Sequence, residues 1–272
     1  MKPSGIAPGT GELRFFLIAT FAWSWAFWFV LAFLTRRGLV SAGTAVFLLL
    51  HIAGGFGPTI FALISAARRT GDRPLAIFLR TWTPGRLSPA GFAILGAGLP
   101  SSSRRTGSLW LFGPHLRALV ETGPAMLARF PVMIIGGGLE EPGWRGIVYD
   151  DSKRLQSGEL TALAGLALAW TAWHLPLWLI PGTYQSAAMD LPAFALNVAE
   201  LTLVFFALRM SGASVGWCIL SHALYNTVLG VFTPGRDPAS ERLVSAMALA
   251  AIFALFIVFR GRIRAHPGNA RA

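Results

Sequence analysis

The chain has 272 residues, of which 54% are hydrophobic and only 13% are charged, against about 25% charged residues in ordinary soluble domains. This composition excludes an ordinary soluble domain and predicts a single membrane domain over residues 1–272. The formal net charge of +11 does not indicate a nucleic-acid partner, because the basic residues cluster at the ends of apolar segments, as membrane anchors do. The single cysteine excludes an intrachain disulfide framework.

The apolar segments predict an all-α integral membrane protein with about eight transmembrane helices around a polar intramembrane cavity, or seven if Leu87–Leu99 does not cross. In chain order, the predicted spans are Phe15–Leu34, Thr44–Ala67, Leu87–Leu99, Ala125–Leu139, Leu160–Ile180, Leu191–Arg209, Ala213–Val231 and Leu243–Phe259. The first span is too long for the apolar core of a signal peptide, so we expect it to be retained. With eight spans, the distribution of Lys and Arg places both termini of this multi-pass cell-membrane protein in the cytoplasm.

The motif EEPGWRG, which begins at Glu140, places ionisable groups beside an apolar segment. An ionisable side chain at bilayer depth costs about 2.5–3.5 kcal/mol, so such groups usually serve a function. Glu141 and Arg145 are four residues apart and can pair on one helix face, which leaves Glu140 to face a cavity. Gly136 to Gly138 should interrupt the preceding helix, and Pro142 suits the first turn of a new one. The alternative is a solvated ion pair at the membrane edge.

Two later apolar segments each carry one histidine. His174 follows Trp170 by one helical turn in WTAWHLPLW, so the indole and the imidazole share a face. His222 and Asn226, in LSHALYN, also lie one turn apart. Taken separately, His174 could be a packing residue, and the second pair could be interhelical hydrogen-bonding glue. Their joint occurrence with the glutamates favours a common site, so residues 125–231 are predicted to form a catalytic core with the motifs EExxxR, WxxxH and HxxxN.

Other polar residues in the apolar part of the chain are assigned to packing or to solvent. His51 has no partner by spacing and is expected to pack within the second span. Glu200 is expected to meet a polar partner such as Arg209 or to line a cavity. Residues 150–154 are predicted to form a solvated loop.

The residue types at the predicted site suit the hydrolysis of an amide, which needs an activated water, an oxyanion stabiliser and an acid for the leaving amine. Glu140 in a low-dielectric site is a candidate base. His174 and His222 can orient the water or bind a metal, and Asn226 can donate to the oxyanion. Zinc with two histidines and one carboxylate is a known catalytic arrangement, and its candidate ligands are Glu140, His174 and His222. Because the spacing HExxH is absent, a divalent metal and a glutamate-activated water both stay open, and no other cofactor is predicted.

The alternative to an enzyme is a non-catalytic membrane protein or a small transporter. The same glutamates and histidines would then form a proton relay or a binding site for a partner membrane protein. Transporters often contain two related halves with broken helices, and this chain has no internal sequence repeat.

The ordered motifs resemble those of the CPBP intramembrane proteases, the CAAX-processing and bacteriocin-processing family that is also called ABI and includes the Ras-converting CAAX endopeptidase. The matching stretches are EEPGWRG from Glu140, WTAWH ending at His174 and GASVGWCILSHALYN ending at Asn226, with a weaker likeness in FGPTIFALI from Phe56. This chain departs from the family in two places. Trp170 replaces the usual phenylalanine, which is a conservative change, and a short third apolar segment runs into the polar sequence SSSRRTG.

The resemblance implies an eight-helix membrane endopeptidase whose conical cavity opens to the cytosol and to lipid. The site residues that it implies are Glu140, Glu141, Arg145, His174, His222 and Asn226. The first glutamate would activate the water with support from the second glutamate and the arginine, the histidines would hold the water or a metal, and the asparagine would stabilise the oxyanion. The expected partners are the lipid bilayer and a peptide or protein substrate that is membrane-associated or lipid-modified, without assuming a prenylated CAAX sequence.

Overall fold

The structure is a computed structural model that describes residues 10–68, 74–102, 115–154, 158–232 and 238–264. Over these ranges the chain is helical and contains no strands, which confirms the predicted all-α class. The chain forms two compact units, each made from two stretches of sequence. The first unit consists of Met1–Thr81 and Glu140–Ser186, and the second unit consists of Trp82–Leu139 and Ala187–Ala272.

The described residues form α-helices and three shorter helical segments, of which two are 3₁₀ turns and one is π-helical. In chain order the α-helices are α1 (Thr10–Arg36), α2 (Ala45–Gly55), α3 (Gly57–Arg68), α4 (Pro74–Arg80), α5 (Pro89–Ser102), α6 (His115–Gly136), α7 (Tyr149–Arg154), α8 (Glu159–His174), α9 (Tyr184–Ala188), α10 (Leu191–Met210), α11 (Val215–Phe232) and α12 (Pro238–Arg264). The shorter segments are 3₁₀ turns at Gly138–Glu140 and Leu175–Leu179 and a π-helical segment at Pro142–Val148.

Several of these helices are long and apolar enough to cross a membrane. Within the described ranges, four segments meet this criterion: Gly11–Arg36, Glu159–Leu179, Leu191–Met210 and Pro238–Val258. The pair α2 and α3 forms a fifth candidate if its 40° bend lies within one span. These candidates overlap five of the predicted spans, which supports a multi-pass membrane protein. The full count of eight spans and the sidedness of the termini stay predictions.

The three remaining predicted spans are helical but are not among these candidates. Leu87–Leu99 lies mostly within α5, whose 14 residues are fewer than the roughly 17 that a crossing needs. Ala125–Leu139 lies within α6 until that helix ends at Gly136, and Ala213–Val231 corresponds to α11. Most of the polar run SSSRRTG, from residue 103 onward, lies outside the described residues.

Indole side chains on α1 connect it to the ends of other helices in the first unit. The Trp23 indole N–H donates to the Ala53 carbonyl near the end of α2, over 2.8 Å. The Trp25 indole N–H donates to the Trp173 carbonyl near the end of α8, over 3.1 Å. The last carbonyls of a helix have no partner within that helix, and in lipid they cannot turn to water. These indoles therefore stabilise the two helix ends.

The second span is broken between α2 and α3. Gly57 begins α3, and a Cβ atom there would overlap the Ser24 hydroxyl on α1 and approach the Thr20 carbonyl to 3.2 Å. The backbone of α3 therefore starts in close contact with α1, which only glycine permits. His51 on α2 stacks on Phe47 with ring centroids 6.0 Å apart, as expected for a packing residue.

The second unit is organised around α10, which packs against α5 and α12, while α6 packs against α11. Asp190 caps α10 by accepting a hydrogen bond from the Ala193 backbone N–H, over 3.0 Å. The same carboxylate accepts two hydrogen bonds of 2.8 Å from Arg242, near the start of α12. The N-terminal ends of α10 and α12 are therefore held together, and the two helices run in the same direction.

Candidate active site

The segment EEPGWRG follows the end of α6 as its glycines and proline predict. The helix ends at Gly136, a 3₁₀ turn covers Gly138–Glu140, and the π-helical segment begins at Pro142. Every residue of that segment is buried. A Cβ atom on Gly143 would lie 2.9 Å from the Pro58 carbonyl oxygen of α3. Glycine is therefore required where this segment meets α3, the helix that carries most of the FGPTIFALI sequence.

Glu141 and Arg145 form the predicted ion pair, with an Arg145 Nη1 to Glu141 Oε2 distance of 3.1 Å. Both side chains are 0% exposed, so the alternative of a solvated pair at the membrane edge is wrong. The Arg145 guanidinium also lies over the Trp170 ring, with Cζ 4.0 Å from the ring centroid. A buried charge needs this degree of compensation, because an unpaired one costs several kcal/mol, about 3–5 when one partner of a pair is removed.

The Glu140 side chain points to a different partner from that of Glu141. Its Oε2 atom accepts a hydrogen bond of 2.8 Å from the Trp170 indole N–H. The residue is partly rather than fully buried, whereas Glu141 is fully buried. The two adjacent carboxylates therefore have different partners. Glu141 pairs with the Arg145 guanidinium, and Glu140 accepts a hydrogen bond from the neutral Trp170 indole.

His174 is the last residue of α8, and Pro176 lies in the 3₁₀ turn that follows at Leu175–Leu179. The imidazole is buried, and its Nδ1 atom lies 2.7 Å from the Trp170 carbonyl oxygen. A carbonyl oxygen can only accept, so Nδ1 carries the proton and donates it to this bond. The lone pair of the neutral ring is therefore on Nε2, the atom suited to accept a proton or to bind a metal.

Trp170 thus contacts three of the predicted site residues, and we call Glu140, Arg145, Trp170 and His174 the Trp170 cluster. An aromatic ring also packs against this cluster. Trp173 meets the His174 ring edge-on, at 4.6 Å between centroids. The cluster therefore has the rigid, buried surroundings that keep catalytic groups in fixed positions.

In the second unit, His222 and Asn226 lie on one face of α11, as predicted from their spacing. The backbone of Gly137, just beyond α6, lies directly against this face. A Cβ atom on Gly137 would overlap the Asn226 Nδ2 atom and would lie 3.3 Å from His222 Nε2. A Cβ atom on Gly138 would lie 2.7 Å from the Ile219 carbonyl oxygen, on the same side of α11. The glycine run therefore allows close approach to the HxxxN motif.

A hydrogen bond between α10 and α11, which sequence spacing could not reveal, holds α11 in place. The Tyr225 hydroxyl donates to Asn197 Oδ1 on α10, over 2.6 Å, and both side chains are buried. Tyr225 lies between His222 and Asn226 in sequence, so this bond fixes the rotation of the helix turn that carries both motif residues. The His222 ring also packs near Phe205 of α10, with centroids 6.0 Å apart.

The predicted site residues are divided between the two units. The Trp170 cluster and Glu141 belong to the first unit, and His222 and Asn226 belong to the second. Their convergence at one site therefore stays a prediction. Within either unit, the described residues include no group of three or more His, Cys, Asp or Glu side chains that could hold a metal. The binding of a metal therefore stays a prediction.

Of two predictions for residues outside the motifs, the one for residues 150–154 is wrong and the one for the partner of Glu200 stays a prediction. Residues 150–154 are not a solvated loop, because they belong to α7, which packs against the π-helical segment and α8. That packing buries Asp151. Glu200 is buried within α10, whereas Arg209 donates to the Ala213 carbonyl over 2.6 Å at the end of the same helix.

Residues 122–228 match the family model of type II CAAX prenyl endopeptidases described as Rce1-like, and this match supports the assignment of the chain to the CPBP/CAAX protease family. The matched range contains all three motifs. No curated protein matches the chain. The family that this model describes consists of endopeptidases.

Proposed function

We propose that this protein is an intramembrane endopeptidase in which Glu140 activates the hydrolytic water. The proposal rests on the observation that one residue, Trp170, orients both the Glu140 carboxylate and the His174 imidazole. Trp170 holds the Glu140 carboxylate through its indole and sets the tautomer of His174 through its carbonyl. A carboxylate and an imidazole lone pair held in this way are suited to general-base chemistry on a water molecule.

In the proposed reaction, a water molecule hydrogen-bonds to the Glu140 carboxylate and to His174 Nε2. Glu140 takes a proton from the water as its oxygen attacks the carbonyl carbon of the scissile amide. The resulting oxyanion accepts a hydrogen bond from Asn226 Nδ2, with His222 beside it. The proton on Glu140 then moves to the amide nitrogen as the carbon–nitrogen bond breaks, which releases the amine and restores the carboxylate.

Glu141 and Arg145 have a supporting role in this proposal. Arg145 is fully buried and paired with Glu141, so the pair adds no net charge to the surroundings of Glu140. A divalent metal such as zinc, if held by Glu140, His174 and His222, would polarise the water or the carbonyl. The proposed reaction does not require this metal. The proposed substrate is a peptide or protein segment at the membrane, and both termini of the enzyme are proposed to be cytoplasmic.

The test is proteolysis by purified protein in lipid nanodiscs. The wild type, Glu140→Ala and His222→Ala would be incubated with a mixture of proteome-derived peptides, to which farnesylated and unmodified CAAX peptides are added. Mass spectrometry then identifies new termini. We expect cleavage by the wild type and none by either variant, with all three proteins equally well inserted and monodisperse.

Undiminished cleavage by Glu140→Ala would contradict the proposed role of the glutamate. A parallel incubation with a chelator decides between the two forms of water activation. Loss of activity that is restored by added zinc would assign a metal, whereas unchanged activity would favour the glutamate alone.

A further inference from the structure

Trp170 makes three separate contacts with predicted site residues. Its indole N–H donates to Glu140 Oε2 over 2.8 Å, and its ring lies 4.0 Å from the Arg145 guanidinium carbon. Its backbone carbonyl accepts the hydrogen bond from His174 Nδ1 over 2.7 Å. The ring itself is almost completely buried, so it has little freedom to move away from these partners.

The hydrogen bond from the Trp170 indole fixes the direction in which the Glu140 carboxylate points. A glutamate side chain has three rotatable bonds and loses considerable rotamer freedom when it is fixed. A buried donor that holds one carboxylate oxygen also defines the direction in which the second oxygen points. A phenylalanine at this position would have no N–H group and could not do this. The replacement that appeared conservative in sequence therefore adds an interaction to this chain.

We propose that Trp170 is a positioning residue for the proposed hydrolysis, and that its indole N–H holds the Glu140 carboxylate in the orientation that activates water. This inference rests on the proposed function, since it assigns the reason for one contact within the same site. The stacked Arg145 guanidinium keeps the indole plane in place, and the ion pair with Glu141 keeps Arg145 in place.

The substitution Trp170→Phe isolates the indole N–H. A phenyl ring still lies under Arg145, and the backbone carbonyl that orients His174 is unchanged. The hydrogen bond to Glu140 is lost, so the carboxylate samples unproductive orientations. We expect kcat to fall about tenfold to a hundredfold, the usual effect of losing one hydrogen bond to a charged group. KM should change little, because the lost contact does not involve the substrate.

Trp23→Phe is the matched control. It removes an indole hydrogen bond of the same length, 2.8 Å, in the same unit, but the acceptor is the Ala53 backbone carbonyl. The ring contacts of Trp23 are with Phe27 and Phe61, outside the Trp170 cluster. Its kcat should stay within about twofold of the wild type, since a contact made away from the reacting groups does not alter transition-state binding.

A second measurement reports the contact without relying on activity. Protein labelled with ¹⁵N at the indole nitrogens gives one N–H resonance for each tryptophan, and the resonance that is missing in Trp170→Phe belongs to Trp170. Donation to a carboxylate shifts an N–H proton downfield, so Glu140→Gln should move the Trp170 resonance upfield. The Trp23 resonance, assigned in the same way, should not move.

The outcomes separate this inference from the proposed function. If neither the wild type nor Glu140→Ala cleaves any peptide, the proposed function fails, and the NMR comparison shows whether the contact exists. If the wild type cleaves but Trp170→Phe has the same kcat as Trp23→Phe, the positioning role is overturned. An unmoved Trp170 resonance in Glu140→Gln would overturn it as well. If Trp170→Phe does not fold, the comparison of the wild type with Glu140→Gln still decides, because one indole resonance must move.

Discussion

Replacing Gly137 with alanine perturbs the HxxxN motif without altering either of its functional side chains. The added Cβ atom would overlap Asn226 Nδ2 and lie 3.3 Å from His222 Nε2. Among the glycines in the described ranges, Gly38, Gly43, Gly182 and Gly212 have positive φ, and Gly137 does not. Alanine is therefore compatible with its backbone conformation, so the effect of the substitution comes from the side-chain contact alone.

The magnitude follows from which atom must move. The Asn226 carboxamide is the end of a short side chain that can rotate away, and a displaced rotamer costs only about 0.5–1.5 kcal/mol. A catalytic group displaced by about 1 Å, however, can lower the rate about a hundredfold, which corresponds to about 2.7 kcal/mol of transition-state stabilisation. Gly137→Ala should therefore lose about two orders of magnitude in kcat while its thermal stability changes little.

Peptide cleavage in nanodiscs and thermal unfolding in detergent measure the two effects. Gly136→Ala is the control, because its added Cβ atom would meet only Met133 Cε, at an ordinary distance of 3.4 Å. It should cleave at nearly the wild-type rate. Gly137→Ala combined with Asn226→Ala should be no slower than Asn226→Ala alone. A fully active Gly137→Ala enzyme, or additive losses in the double variant, would refute the role assigned to Asn226.

Three further predictions concern stability. Glu141→Gln removes the carboxylate that is paired with the buried Arg145 and should cost about 3–5 kcal/mol, most of it recovered when Arg145→Met is added; an unchanged denaturation midpoint would contradict the burial of the pair. Gly143→Ala should cost about 1–3 kcal/mol, because its Cβ atom would press on the Pro58 carbonyl oxygen as well as on the Phe16 and Pro58 side chains, and a variant with the wild-type Tm would show that these contacts relax. The two hydrogen bonds from Arg242 hold the pKa of the Asp190 carboxyl at about 2, below its ordinary value of 3.8. The ion pair therefore contributes its full stabilisation of the folded state above about pH 4, and this stabilisation is lost as pH falls through about 2. The difference in Tm between the wild type and Asp190→Asn should accordingly be constant near neutral pH and should disappear between about pH 4 and pH 2.

Contacts between residues one helical turn apart were the part of the site that sequence could predict. Helical geometry alone brings Glu141 to Arg145 and places His222 beside Asn226, whatever the rest of the fold does. The break after Gly136 was also predictable, because consecutive glycines disfavour helix. These are local effects, and the structure agrees with each of them.

Contacts between distant residues were not predictable in the same way. The Trp170 indole reaches Glu140 across 30 positions of sequence, and the spacing of WxxxH indicated only a shared face with His174. Likewise, the burial of Asp151 depends on helices that pack around α7, whereas its acidic neighbourhood suggested solvent. The family resemblance supplied the roles of the motif residues, but it could not show what the indole adds where phenylalanine is usual.

The wide coil at Pro142–Val148 has a consequence for how this region can vary. A π turn closes its hydrogen bonds over five residues instead of four, so deleting one residue there would convert it to an ordinary α-helix. The extra residue of the wide turn is then the one removed, so the residues beyond the deletion would keep nearly the orientation that they have now. A single-residue deletion should accordingly disturb the orientation of the following helix less here than it would within one of the regular α-helices.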